Sequence, residues 1–256
     1  MARTEAGKAL TEQHYVAQLQ VRAASLRDFL RLWPIWQGDE GSFRQLAEAT
    51  VVLVKAHQQL SAQLGASYFD AFRLVEGVDG HARSWLADPM TPEAEDKLIG
   101  SLFETGQFSL RRSLDAGKSA EDARDIAFTN TSGTVTRSVL NGGRGSILRS
   151  TGNDEKAKGW ARVTSGTPCA FCALLSSRGP VYIAESTADF EAHNHCTCTA
   201  EPGYEGTEWP GRSREFHDMY NEAILKARET GTMVTGTSND LLNTFRRFYD
   251  QLRAGK

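Results

Sequence analysis

The chain has 256 residues, enough for one large domain or two small ones at roughly 150 residues per domain. Hydrophobic residues make up 40% and charged residues 24%, which excludes a wholly disordered chain. The 29 Lys and Arg against 32 Asp and Glu leave a net charge of −3, which does not describe a globally basic nucleic-acid binder.

No apolar run approaches the roughly 18–20 residues that a membrane span needs. The stretch Met1-Ala2-Arg3-Thr4-Glu5-Ala6-Gly7-Lys8 lacks the apolar core of a secretory leader. The first 115 residues read as helices. Leu10, Val16, Leu19, Ala23, Leu26, Leu30 and Trp33 recur at three- and four-residue steps, with one wider gap after Leu10, and predict one apolar face. Pro34 and Gly38-Asp39-Glu40-Gly41 end that segment, and Ser42 is the candidate N-cap of the next. There Phe43, Leu46, Thr50, Leu53, His57, Leu60 and Leu64 keep helical spacing, with Gly65 as the predicted stop. Residues 66–76 then read as a shorter helix carrying Tyr68, Phe69, Phe72 and Val75.

Thr91 and Pro92 fit the N-cap and first position of a helix holding Leu98, Ile99, Leu102 and Phe103, which Gly106 breaks. Phe108, Leu110 and Leu114 add another turn or two. Ser119-Ala120-Glu121-Asp122 reads as a further start, with two carboxylates near the positive helix end. Asn141-Gly142-Gly143-Arg144-Gly145 reads as a break and flexible hinge, without the spacing of a phosphate loop. Beyond residue 150 the texture changes. Residues 156–163 and the triplet Val181-Tyr182-Ile183 read as short strands of a small sheet. A polar linker runs to Pro210-Gly211. Two helical stretches close the chain, one with Phe216, Met219, Tyr220, Ala223, Ile224 and Ala227, the other with Leu241, Leu242, Phe245, Phe248, Tyr249 and Leu252. The fold class is mainly α. A multi-helix body spans 1–150, a small α+β Cys/His module spans 151–210, and C-terminal helices span 211–256.

All four cysteines fall between residues 169 and 198. Cys169-Ala170-Phe171-Cys172 is followed, after a loop, by His193-Asn194-His195-Cys196-Thr197-Cys198. A Cys-x-x-Cys turn points two thiolates at one ion, and a second pair completes a tetrahedron. The candidate ligands are Cys169, Cys172, His193, Cys196 and Cys198, with His195 in addition. Zinc suits thiolate plus imidazole. Two other readings of the same residues stay open. One is a thioredoxin-type redox pair, which normally sits in a βαβ alternation not seen here. The other is a pair of disulfides, which a cytosolic setting disfavours. Glu191 lies close by, but no His-Glu-x-x-His motif supports hydrolytic metal chemistry.

The remaining candidates have bland explanations. His57 lies on an apolar stripe and reads as a packed core histidine, while His14, His81 and His217 read as surface residues. Arg111-Arg112 and Arg246-Arg247 read as solvated helix faces. No Gly-x-Ser-x-Gly elbow is present. Between Cys169 and Cys198, Arg178 is the single basic side chain besides the histidines, against Glu185, Asp189 and Glu191. With Lys156, Lys158 and Arg162 as the nearest basic run, the segment is a poor phosphate binder.

Trp160, the run Thr167 to Leu175, Arg178-Gly179-Pro180-Val181-Tyr182, and Phe190 to Cys198 before Pro202 together resemble a known pattern. They are similar to phage head-morphogenesis proteins related to the Mu F protein, and closer to minor capsid proteins of actinobacterial tailed phages, often labelled capsid maturation protease. Cys169, Cys172, His193, Cys196 and Cys198 match that pattern, while Asn194 stands where the Mu-type motif has proline. The motif-bearing likeness covers about residues 155–205. It implies a virion component inside the head near the portal vertex, made in the host cytoplasm. Its implied partners are the portal and the major capsid or scaffold proteins, with packaged DNA a further one. A role in head assembly or packaging follows from the same likeness, while the structural zinc rests on the Cys/His spacing. A prohead protease is the alternative, although the sequence carries no catalytic constellation.

Overall fold

The structure is a computed structural model and describes residues 2–164, 166–180, 190, 192–206, 209–231 and 238–254. It is mainly α. The described helices are α1 (Glu5–Leu32), α2 (Glu40–Val75), α3 (Pro92–Thr105), α4 (Gln107–Asp115), α5 (Ala120–Gly152), α6 (Ala170–Ser176), α7 (Ser213–Glu229) and α8 (Ser238–Ala254). Strands β1 (Gly159–Val163) and β2 (Thr199–Gly203) flank α6 and pair antiparallel, with Ala161 opposite Glu201. Among the described residues no helix is long and apolar enough to cross a membrane.

Local capping explains where the body helices begin. Thr91 accepts the Ala94 amide with Pro92 at the first position, and Ser119 accepts the Asp122 amide. The predicted cap at Ser42 is corrected. Asp39 caps α2 instead, and its carboxylate takes both the amide and the hydroxyl of Ser42. A charged acceptor at the positive end of the helix wins over a neutral hydroxyl three residues on.

Two glycine predictions are also corrected. Gly65 does not stop α2, and 141–145 is not a hinge; α2 and α5 run through both. A Cβ on Gly65 would lie 2.5 Å from the Gly143 carbonyl oxygen, and one on Gly142 would lie 2.1 Å from the Gln58 carbonyl oxygen. These glycines let two long helices cross backbone to backbone, so their small size matters and their freedom to turn is not used.

The buried face of α1 also differs from the predicted stripe. Gly7, Thr11, His14, Gln18, Val21, Ser25 and Phe29 face inward, whereas Val16 and Leu30 are exposed. Much of this face docks by hydrogen bonds. Gln18 pairs with Ser61 of α2, and Thr11 donates to Glu201 of β2 and shares a hydrogen with the Tyr68 hydroxyl. His14, expected at the surface, is buried. It stacks on Tyr68 and bonds Thr199 Oγ1 at 3.1 Å. His57, expected in the core, is mostly buried, its side chain 16% exposed, and pairs with Asp28 of α1 at 3.0 Å.

One apolar cluster fills the α1–α5 body around Phe29, Trp36, Phe43, Leu46 and Leu102. A second joins Tyr68, Phe72 and Ile147 of the body to Trp160, Phe190, Ala200, Tyr204 and the sulfurs. It crosses the division drawn at residue 150, which falls in the last turn of α5. A third seats Phe216 and Ala223 of α7 and Phe245, Phe248 and Tyr249 of α8 against Ala170, Ala173 and Leu174 of α6. The predicted strand Val181-Tyr182-Ile183 and Glu191 lie outside the described residues. The strand that pairs with β1 is β2, a stretch just ahead of the predicted linker that the sequence reading did not assign to any element. Pro202 disguises it, and a two-stranded sheet accommodates proline because each strand has an unpaired edge.

Candidate metal centre

The site is assembled from α6 on one side and the residues leading into β2 on the other. Cys169 is the N-cap of α6, its sulfur taking the Cys172 amide at 3.5 Å, so the Cys-x-x-Cys spacing places both sulfurs at one helix end. His193, Cys196 and Cys198 reach them from the opposite strand of chain. His195 takes φ 65°, which turns the backbone between the two ligand-bearing stretches. Arg144 of α5 holds the returning segment by its main chain, donating to the Cys196 carbonyl at 2.7 Å and to the Cys198 carbonyl at 3.0 Å.

Five predicted ligands meet in two overlapping groups. Cys169, Cys172 and His193 form one and Cys172, Cys196 and Cys198 the other, each with its donor atoms within 4.8 Å of one another. Cys172 belongs to both. A tetrahedral zinc with Zn–S near 2.3 Å sets sulfurs about 3.8 Å apart and a sulfur–nitrogen pair about 3.5 Å apart. Cys172 Sγ lies 3.6 Å from Cys196 Sγ and 3.5 Å from His193 Nε2. Cys169 Sγ is closer to His193 Nε2, at a hydrogen-bonding 2.8 Å. Donor chemistry and spacing therefore fit a thiophilic cation. His195, the sixth candidate, is outside both groups; its Nε2 lies 2.6 Å from where a Cβ on Gly133 of α5 would stand.

All four cysteines are free thiols; Cys169 is exposed and the other three are buried. Hydrogen bonding from Cys172, and then from His193, brings the Cys169 thiol down to about 4. The same Cys169 contact pushes His193 up to about 9. Cys196 is held far below the thiol range by Cys172, with help from Arg144 and Arg162, while Cys172 itself is pushed far up by its sulfur neighbours. Among the crowded sulfurs Cys169 and Cys196 give up their protons most easily while Cys172 and Cys198 are pushed up, and a cation in their midst would stabilise all of them as thiolates.

Sequence reasoning missed the shell around the sulfurs. Arg162, read as part of a basic run, is only 1% exposed, and its Nη1 lies 3.8 Å from Cys196 Sγ and 3.9 Å from Cys172 Sγ. The Phe190 ring meets the guanidinium groups of both Arg162, at 3.8 Å, and Arg144, at 4.8 Å, and it stacks on Trp160. The strand alternation around Arg162 was the one available signal, since Ala161 and Val163 fall on the other face.

A family model described as VG15 protein matches residues 1–223. The Gene 15 protein of Mycobacterium phage D29 is similar, at 29% identity over 133 residues. That alignment covers 39% of this chain and 48% of the relative, so the chain spans about half the relative's length. No solved structure matches.

Proposed function

The chain belongs to the VG15 protein family and is a phage protein, and from that premise we propose that it is a minor component of the phage head. In this reading it acts at or near the portal in head assembly and DNA packaging, as do the Mu F-related proteins that its Cys/His segment resembles. Its partners are the portal and the major capsid or scaffold proteins. Its metal is a structural zinc held by four of Cys169, Cys172, His193, Cys196 and Cys198.

The observation that carries the metal part is the meeting of five soft donors from two distant stretches around the shared sulfur of Cys172. Bound there, zinc would supply a charge-neutralising cross-link between α6 and the lead-in to β2. The chain's own residues do the rest. Phe171 and Phe190 pack against the three buried sulfurs of Cys172, Cys196 and Cys198, Arg144 fixes the ligand segment, and α6 offers its opposite face to α7 and α8.

Two measurements test the proposal. Elemental analysis of the purified chain should find one zinc per chain, and none in Cys172→Ser. Mass spectrometry of purified virions and procapsids should find the protein in at least one of them; absence from both would end the head assignment. A second reading, a capsid maturation protease, draws on the pairing of Cys169 Sγ with His193 Nε2 at a helix start. Incubation of the purified chain with major capsid protein decides it, since that reading needs cleavage and the structural one needs none.

A further inference from the structure

The stretch Asn141-Gly142-Gly143-Arg144-Gly145 combines the glycines of a helix crossing with a deeply buried arginine. Arg144 sits in the middle of α5 and is 3% exposed. An ionised group that deep needs compensation from opposite charge or from hydrogen bonds aimed at it. Its hydrogen bonds go to the Cys196 and Cys198 carbonyls and to Asn141 Oδ1 at 2.9 Å, and among the described residues no carboxylate pairs with it. The charged or ionisable groups that face it are Cys196, Cys198, Cys172 and Arg162. The sulfurs are therefore the anionic neighbours that this buried cation has.

We propose that Arg144 is the positioning residue of the Cys/His centre. It clamps the Cys196–Cys198 ligand segment through two main-chain carbonyls and offsets the negative charge that metal-bound thiolates leave in the interior. The inference rests on the metal reading above. A divalent ion with three thiolates and an imidazole carries a net charge of −1, and one with four thiolates carries −2; either is costly among apolar side chains without a nearby cation. Arginine suits the task because its planar fork can reach two carbonyls while staying charged. Asn141, one helical turn back, holds the outer end of the fork.

Cobalt(II), added to the full reduced chain, is the probe, because thiolate ligation gives a sulfur-to-cobalt charge-transfer band. The wild type should show the band. Arg144→Gln, which keeps the size but loses the charge, should need about 10–100-fold more cobalt to reach it, the range seen for partners of metal ligands. Arg144→Lys, which keeps the charge but loses the fork, should fall between the two. Leu102→Ala, in the other apolar cluster, should lower thermal stability yet bind cobalt as the wild type does, which separates positioning from general destabilisation. Wild-type affinity in Arg144→Gln would overturn the role of Arg144 and leave the metal reading standing. No band in the wild type would overturn both. Should Arg144→Gln fail to fold, Arg144→Lys decides: weaker binding than wild type supports the clamp, and equal binding overturns it.

Discussion

His14 shows how a single residue's setting changes its chemistry. Burial against Tyr68 lowers it from 6.5 to about 4, so it stays neutral in the folded chain where the unfolded chain protonates it. The unfolded state then binds more protons than the folded state between those two values. Its contribution is complete above about pH 6.5 and fades as pH falls toward 4, by at most about 3 kcal/mol. Urea titrations at pH 7 and pH 4.5 should show a smaller loss of stability for His14→Gln than for the wild type; parallel losses would contradict the assignment. Cys172 is the sulfur common to both donor groups, so Cys172→Ser should abolish stoichiometric zinc whichever of the two groups the ion sits in. Cys198→Ser discriminates, keeping its zinc if Cys169, Cys172, His193 and Cys196 suffice. At this scale the cluster of soft donors was legible because their residue types are rare and their spacing is local. The burial of His14 and Arg162 was not, because it depends on β2 and α5 arriving from elsewhere in the chain.

At the scale of elements, helix starts with a cap and a fixed φ, such as Thr91-Pro92, were legible because the signal lies within four residues. Helix continuation through glycine was not. Gly65 and Gly143 look like breakers in sequence, yet they sit where α2 and α5 touch through their backbones. Gly65→Ala should therefore destabilise the protein by about 1–3 kcal/mol, since the new methyl meets main chain that cannot step aside. Gly100, inside α3, has nothing within 4 Å of an added Cβ. There Gly100→Ala should stabilise by about 0.5–1 kcal/mol through helix propensity alone. Thermal melts of the two variants should move in opposite directions, and a shared direction would refute the account of the crossing.

Across the whole molecule, α6 is a two-sided part. One end carries Cys169 and Cys172, and its apolar face seats α7 and α8, with Tyr249 donating to the Pro168 carbonyl beside the first ligand. Ser213 and His217 of α7 add bonds to Ser176 and Ser177 at the far end of the same helix. On the zinc reading, removing the ion frees α6 and with it the support of the C-terminal helices. Chelation should lower the melting temperature by several degrees and open new protease cuts between α6 and α7, while the α1–α5 body stays resistant. An unchanged digest in chelator would show that the module holds without its ion.

The sequence by itself determined the helical class, most helix starts and the set of soft donors, because each is written in nearest-neighbour spacing or in residue chemistry. Tertiary structure decided which face of α1 is buried, that two glycine-containing stretches remain helical, and that β2, some forty residues further along the chain, pairs with β1. It also decided that His195 turns away from the sulfurs while Arg144 turns toward them. Each of these outcomes depends on a partner far along the chain, and only the folded packing brings that partner within reach.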